Sequence, residues 1–425
     1  MEFKQYPSYK KSGVEWLGDV PEHWESNRLK KYLIERNEKN SPIKTDNLLS
    51  VTMYQGVIPV SEKQGNGGNK PKENLENYKI SYPNDIVLNS MNVIVGSVGL
   101  NKYTGLISPA YYALYNRNKN NNIKFFSYIF HNPFFQKGLF GLGNGIMYKE
   151  SEDGKLNTIR LKIPMEKLNQ VVLPCPSISE QNQIVAFLDT ETARIDNLIS
   201  KQEKLIELLE EQRKSIISHA VTKGLNPNAP MKDSGVEWLG EVPEHWKIGR
   251  LKNLLSINNG SDYKEFEVEN SENSYPVYGS GGVFTYSSKY IYDQESVLLG
   301  RKGTINKPLY VTSPFWAVDT MFYSQVKQGV HGKYVYYQAL GFPYDRYSSN
   351  TALPSMTQTD LLNLSVVIPI ISEQIEITQF LDNENAMFDN LISKQKKLIE
   401  KLKEYRASII SHAVTGKIDV REFGA

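Results

Sequence analysis

The chain has 425 residues, enough for two to four domains at roughly 100–200 residues each. Hydrophobic residues are 40% and charged residues 23%, which excludes a chain disordered throughout. The 49 Lys+Arg against 47 Asp+Glu leave a net charge of +2, so any nucleic-acid surface has to be local. One cysteine, Cys175, excludes an intramolecular disulfide and a CxxC metal cluster. The 26 Tyr suit wet interfaces and base stacking, and half-buried sheets equally well. No secretory signal is visible and no stretch approaches about 18 apolar residues. The expectation is a cytoplasmic protein without a membrane span.

In chain order the first feature is a box, Ser12–Trp24 (SGVEWLGDVPEHW). It returns at Ser234–Trp246 with 12 of 13 positions identical, at an offset of 222. After the first box comes a variable segment, roughly 25–177. Strands are predicted at Asp85–Leu88, Val93–Val98 and Ala110–Tyr115, separated by Gly, Asn and Pro turns, with a helix at Ile123–Phe130. Asn118–Asn122 reads as a polar loop.

The next segment, Ile178–Gly224, has no Pro or Gly between Glu180 and Val221 and is rich in good helix formers. Ser179 is a plausible N-cap and Gly224 a plausible stop. A helix of about 42 residues would be a rod of roughly 60 Å. It aligns with Ile371–Lys417 at an offset of 193, with 32 identities in 47. Apolar residues repeat every seven. One seam line is Leu188, Ile195, Gln202, Leu209 and Ile216, matched by Leu381, Phe388, Gln395, Leu402 and Ile409. Ile184, Leu198 and Leu205, with Ile377, Leu391 and Leu398, fill the alternate positions. This is a coiled-coil pattern in both copies, and each copy is the obvious partner of the other. Internal twofold symmetry would make the pair antiparallel. Gln202 and Gln395 either fix register or simply reach solvent.

The second variable segment, roughly 247–370, shares little sequence with the first. Strands are predicted at Ser296–Leu299, Leu309–Thr312 and Ala317–Ser324, and a helix at Gly332–Leu340. The fold class is therefore α+β: two mixed α/β domains with strand-rich cores, joined by two long helices in an antiparallel coiled coil with internal pseudo-twofold symmetry. The expected boundaries are 1–177 and 225–370 for the domains, each opening with its box (12–24 and 234–246). The helices take 178–224 and 371–417, and 418–425 is a tail.

Catalytic signatures fail on spacing. Asn132-Pro133-Phe134-Phe135 lacks the second Pro of the Asp/Asn-Pro-Pro-Tyr/Phe loop of DNA amino-methyltransferases. Phe140-Gly141-Leu142-Gly143 lacks the spacing of a cofactor-binding turn, and no GxxxxGK-Ser/Thr occurs. Asp153-Gly154-Lys155 lacks a convincing acidic partner for a nuclease. No HExxH or HxH appears, so no metal site is expected. His23, within Pro-Glu-His-Trp, reads as a packing or capping residue.

The variable segments do carry groups suited to DNA. In the second, Tyr278, Gly279 and Ser280 join a Tyr-rich strand to a Gly/Ser turn. Arg301, Lys302, Gly303, Thr304, Asn306 and Lys307 follow a strand end. Arg and Lys suit phosphate or guanine, Asn suits adenine, and Gly permits close approach of a sugar–phosphate strand. The corresponding stretch of the first segment offers Asn89, Ser90 and Asn92. Lys63, Lys70 and Lys72 form a second basic, Gly-rich loop. Each of these also reads as an ordinary solvated loop.

The duplicated box, the duplicated helix, Ala352–Gln374 (ALPSMTQTDLLNLSVVIPIISEQ) and Leu298–Ala317 (LLGRKGTINKPLYVTSPFWA) resemble the specificity subunit of a Type I DNA restriction-modification system. The first variable segment joins the resemblance through Ile107–Ala110 and Leu161–Gln181. The resemblance implies a non-catalytic subunit whose two target-recognition domains each read half of a split, asymmetric duplex DNA sequence. It implies an antiparallel coiled coil that sets the gap. It implies two modification subunits, which bind S-adenosylmethionine and methylate adenine N6, and two ATP-dependent motor-nuclease subunits. No cofactor is then expected on this chain; S-adenosylmethionine, ATP and Mg2+ belong to the partners. The competing readings are a self-contained DNA methylase or nuclease, and a coiled-coil scaffold with no nucleic-acid role.

Overall fold

Four helices organise the chain: α1 (Ile123–Phe130), α2 (Ile178–Lys223), α3 (Gly332–Ala339) and α4 (Ile371–Val414). The computed structural model describes residues 3–53, 55–63, 74–146, 149–150, 156–157, 160–347 and 354–423. Contacts divide the chain into two units. One is Met1–Lys201 with Leu398–Ala425, and the other is Gln202–Lys397. The division falls inside both long helices, so each unit owns part of α2 and part of α4.

The first unit packs the start of α2 against the end of α4. Ile184, Phe187, Leu188 and Ile195 share one core with Ile409, Ile410, Ala413 and Val414. In the second unit the end of α2 meets the start of α4, with Ile217, Ala220 and Val221 beside Ile377 and Leu381. Start against end in both units makes the pairing antiparallel. Arg406 donates from Nε to Asp196 at 2.9 Å in the first unit, and the repeat mates Arg213 and Asp389 pair in the second.

Each unit also carries a four-stranded antiparallel sheet. In the first unit the strands that matter here are β1 (Leu33–Arg36), β2 (Leu49–Thr52), β3 (Gly56–Pro59), β4 (Ile86–Asn89), β5 (Val98–Leu100) and β6 (Tyr111–Asn116). The sheet order is β1-β6-β4-β5, with β2 and β3 as a separate hairpin. In the second unit the strands are β7 (Leu255–Asn259), β8 (Tyr275–Gly279), β9 (Gly282–Ser287), β10 (Ser296–Gly300), β11 (Leu309–Val311) and β12 (Met321–Val326). There the order is β7-β12-β10-β11, with β8 and β9 as the hairpin, which here is widened to a sheet of four by Glu267–Val268 beside β9 and Trp316–Ala317 parallel to β8. Two segments with little common sequence thus adopt one plan.

The repeated box is pinned by repeated contacts. Trp24 Nε1 donates to Glu180 at 3.0 Å, and His23 Nε2 lies 3.0 Å from the same carboxylate. Trp246 Nε1 and His245 Nε2 meet Glu373 at 3.1 and 2.8 Å. Each box tryptophan covers a glycine beyond the end of a long helix. A Cβ on Gly224 would stand 3.1 Å from Trp246, and one on Gly416 would stand 3.2 Å from Trp24. Both glycines have positive φ, +75° and +71°, the left-handed conformation that ends a helix. Asp189 takes Lys124 and Tyr128 from α1, each at 2.8 Å. Its mate Asp382 takes Lys333 and Tyr337 from α3 at 2.7 and 2.6 Å.

Four local expectations change. Val93–Val98 is no continuous strand, because Val93–Val95 forms a 3-10 turn that drops Val93 and Ile94 into the core before β5 begins. Ala317–Ser324 breaks after Ala317, where a turn closed by Met321 N to Val318 O lets the chain enter β12. Helix α2 begins at Ile178, so Ser177 holds the cap position in place of Ser179, and its Oγ accepts from Glu180 N at 3.3 Å. The alternate seam line keeps Ile184 and Ile377, both buried, and the half-buried Leu198 and Leu391, but departs at Leu205 and Leu398. Leu205 and Leu398 are 38% and 41% exposed, whereas Ile392 and Ile399 are 5% and 6% exposed. Leu-Ile doublets at Leu391-Ile392 and Leu398-Ile399 gave two candidate lines one residue apart, and packing selects isoleucine. Of the other seam candidates, Leu188, Ile195, Leu381, Phe388 and Ile409 are buried, while Gln202, Leu209, Ile216, Gln395 and Leu402 are half-buried.

Candidate nucleic-acid interface

The turn from β10 to β11 leaves the edge of the second unit's sheet and carries most of the basic candidates. It starts at Gly300, where a Cβ would lie 2.6 Å from Ile305 Cα, so the chain doubles back tightly on itself. Main-chain bonds hold the turn in place. Arg301 N and Lys302 N donate to Thr320 O at 2.9 and 3.2 Å, and Gly303 N donates to Pro354 O at 2.9 Å. These bonds fix where the side chains of the turn stand. Lys302, Asn306 and Lys307 are exposed; Arg301, Gly303 and Thr304 are half-buried. Arg301 Nη1 donates to Asp319 O at 3.3 Å, and its guanidinium lies 5.9 Å from the Phe322 ring centroid.

The β8–β9 hairpin tip adjoins this turn. Ser280 Oγ is 3.3 Å from where a Cβ on Gly303 would stand, and Gly303 has φ +84°. Ser280, Arg301, Lys302, Gly303 and Thr304 therefore form one edge. Gly279 is buried under Phe284, and Tyr278 is half-buried against Phe315 at 6.1 Å. Burial pushes the Tyr278 phenol above its ordinary value. Asn306 and Lys307 turn another way. With Tyr278 they line a groove of about 900 Å³ shared with Lys214 of α2, Tyr336 of α3 and Asp389 of α4.

The same place in the first unit is the β4–β5 turn. Asn89 is half-buried, and its Oδ1 accepts from Met91 N at 3.0 Å. Ser90 is fully buried, with its hydroxyl donating to Ala110 O at 2.7 Å. It holds the turn to the neighbouring chain and presents nothing to DNA, which removes it from the candidates. Asn92 is exposed. The β2–β3 tip reaches this turn as its counterpart does: a Cβ on Gly96 would stand 3.8 Å from Met53 Cγ. Met53, Gln55 and Met91 are exposed, as Asn92 is. Sequence reasoning missed these three; for Met53 and Gln55 the signal was the short gap between Val51 and Val57, which pair in the hairpin. Lys63 follows a short 3-10 turn after β3 and is half-buried. Lys70, Lys72 and the triplet Asp153–Lys155 lie outside the described residues.

Asn132 is buried and caps a short helix at Pro133–Gly138, accepting from Phe134 N at 2.8 Å. Its near-match to a methyltransferase loop is a helix start. Among the described residues no group of three or more His, Cys, Asp or Glu could hold a metal, and no helix is long and apolar enough to cross a membrane.

Residues 243–404 match the family model of the Type I restriction modification DNA specificity domain. The chain is 24% identical over 453 residues to the putative type I restriction enzyme MjaX specificity subunit of Methanocaldococcus jannaschii, covering 99% of both chains. It is also 24% identical over 280 residues to the type I restriction enzyme MjaVIII specificity subunit of the same organism, a match spanning 59% of this chain and 63% of that protein. Among solved structures, a chain of a type I R-M system studied for its assembly and conformational transition superposes with a TM-score of 0.70 at 13% identity, covering 93% of this chain and 98% of that one. The HsdS subunit from Thermoanaerobacter tengcongensis superposes with a TM-score of 0.51 at 13% identity, covering 96% and 100%. At that identity the two structures speak to the fold. In its duplicated frame, its full-length match and its fold the chain is similar to the specificity subunits of Type I restriction enzymes, and its residues 243–404 match the DNA specificity domain of that family.

Proposed function

We propose that the chain reads a split, asymmetric sequence in duplex DNA, one edge to each half-site, and leaves the chemistry to its partners. The observation that carries this is the recurrence of one sheet order with a hairpin tip against the same inter-strand turn, filled by unlike residues. A common frame with unlike reading residues is what two different half-sites require. The antiparallel helix pairing suits a spacer, since half-sites read from one face of a duplex lie about 34–36 Å apart or multiples of it. The repeated box and helices are the surfaces on which two modification subunits and two motor-nuclease subunits would dock. S-adenosylmethionine, ATP and Mg2+ would act on those subunits.

The test is retention of duplex DNA by the full chain together with its modification subunit, in the presence of excess non-specific competitor. The reading expects selective retention of one bipartite sequence, weakened when either half is replaced. Indifference to sequence would overturn it in favour of a scaffold. Methyl transfer by this polypeptide alone would overturn it in favour of a self-contained enzyme.

A further inference from the structure

We propose that the two edges read different base classes, the first built for A·T pairs and the second for G·C pairs. This deepens the function proposed above and rests on it. Among the described residues of the first edge, the exposed groups are the primary amides of Gln55 and Asn92 and the side chains of Met53 and Met91, the last two 46% and 37% exposed. Neither residues 51–56 nor residues 89–98 contain a Lys or Arg. The main chain there is already engaged. Gln55 N donates to Thr52 Oγ1 at 2.9 Å, Asn92 N to Asn89 O at 3.0 Å, and Ser97 N to Asn92 O at 3.0 Å.

An amide carries a donor and an acceptor in one plane, which matches N6–H and N7 of adenine together. An exposed thioether side chain gives apolar contact, which suits the thymine methyl. The other edge carries Arg301 and Lys302, beside the hydroxyls of Ser280 and Thr304. Guanidinium and ammonium groups only donate, and guanine alone presents two acceptors, O6 and N7, in the major groove. The unlike edges thus differ in hydrogen-bond code.

The experiment uses the full chain with its modification subunit and a panel of duplexes, each carrying one changed base pair of the mapped target. Lys302→Ala, with Arg301→Ala, assigns the second half-site by the positions where discrimination disappears. Gln55→Ala and Asn92→Ala should then relax discrimination only in the other half, at A·T pairs, by about 5- to 150-fold at the affected pair. All four side chains are exposed or half-buried, and unchanged melting temperatures would confirm intact folding. The inference is overturned if the discriminated pairs of the first half are G·C. It is also overturned if Gln55→Ala with Asn92→Ala leaves that half read as before, or if Lys302→Ala with Arg301→Ala lowers affinity equally for every sequence, as a phosphate contact would. Absence of selective binding by the unsubstituted complex is a separate result and would remove the parent reading as well.

Discussion

The Trp24 indole donates to Glu180 across 3.0 Å, and the Glu180 side chain is only 4% exposed. Its repeat mate Glu373 makes the same bond to Trp246 at 3.1 Å but is 29% exposed. A buried carboxylate that loses a donor bears the desolvation in full, whereas an exposed one recruits water. Trp24→Phe should therefore destabilise the chain by about 1.5–3 kcal/mol through the lost charged hydrogen bond, and Trp246→Phe by less. Urea unfolding of both variants checks this, and equal losses would contradict it.

The seam gives a second contrast from adjacent residues. Ile399 is 6% exposed and Leu398 is 41% exposed. Ile399→Ala should cost about 2–5 kcal/mol as a buried large-to-small change. Leu398→Ala should stay within about 0.5 kcal/mol. Thermal melts followed by circular dichroism would show the difference. The reverse order would restore the line through Leu205 and Leu398.

The frame was legible in the sequence because repetition and periodicity encode it directly. The two boxes, the limits of α1 at Ile123–Phe130 and the end of α2 before Gly224 all follow from caps, breakers and apolar spacing. Details set by tertiary packing were not legible. Doublets such as Leu398-Ile399 satisfy two seam lines equally until a partner helix chooses one. Val93–Val95 has strong strand propensity, yet the need to reverse between β4 and β5 makes it a turn. In the proposed reading edges, composition found Arg301 and Lys302 but also selected buried Ser90. It passed over Met53 and Gln55, whose exposure depends on a hairpin packing beside a distant turn.

Under the proposed function, Gly300 would couple fold to recognition. A Cβ there would stand 2.6 Å from Ile305 Cα and equally close to Thr304 O, both main-chain atoms. Gly300→Ala forces this turn apart and should cost about 1–3 kcal/mol as overpacking. It should also weaken reading of the second half-site while the first is read as before. Melting curves and half-site substitution in a DNA-retention assay measure the two effects. Loss of both half-sites at once would mean that the edges are not independent.

Alkaline pH should loosen the first unit. The Tyr128 hydroxyl donates to Asp189 Oδ1 at 2.8 Å. Burial, joined by that bond and partly offset by Thr192, pushes the phenol from 10.0 up to about 12. A raised folded value means that the stabilisation is complete below pH 10.0 and lost as pH climbs through about 12. Burial moves Tyr112 of the same unit in the same direction. Stability measured by urea titration should fall across that window, and Tyr128→Phe should make the fall shallower. An identical slope in the variant would assign the alkaline loss to other groups.

Genome-wide mapping of methylated adenines, in a host carrying this chain and its modification subunit, bears most directly on the central claim. The account predicts one motif of two unlike halves separated by a fixed run of unspecified bases, with Lys302→Ala altering one half alone. A continuous motif, two identical halves, or no methylation that depends on this chain would contradict it.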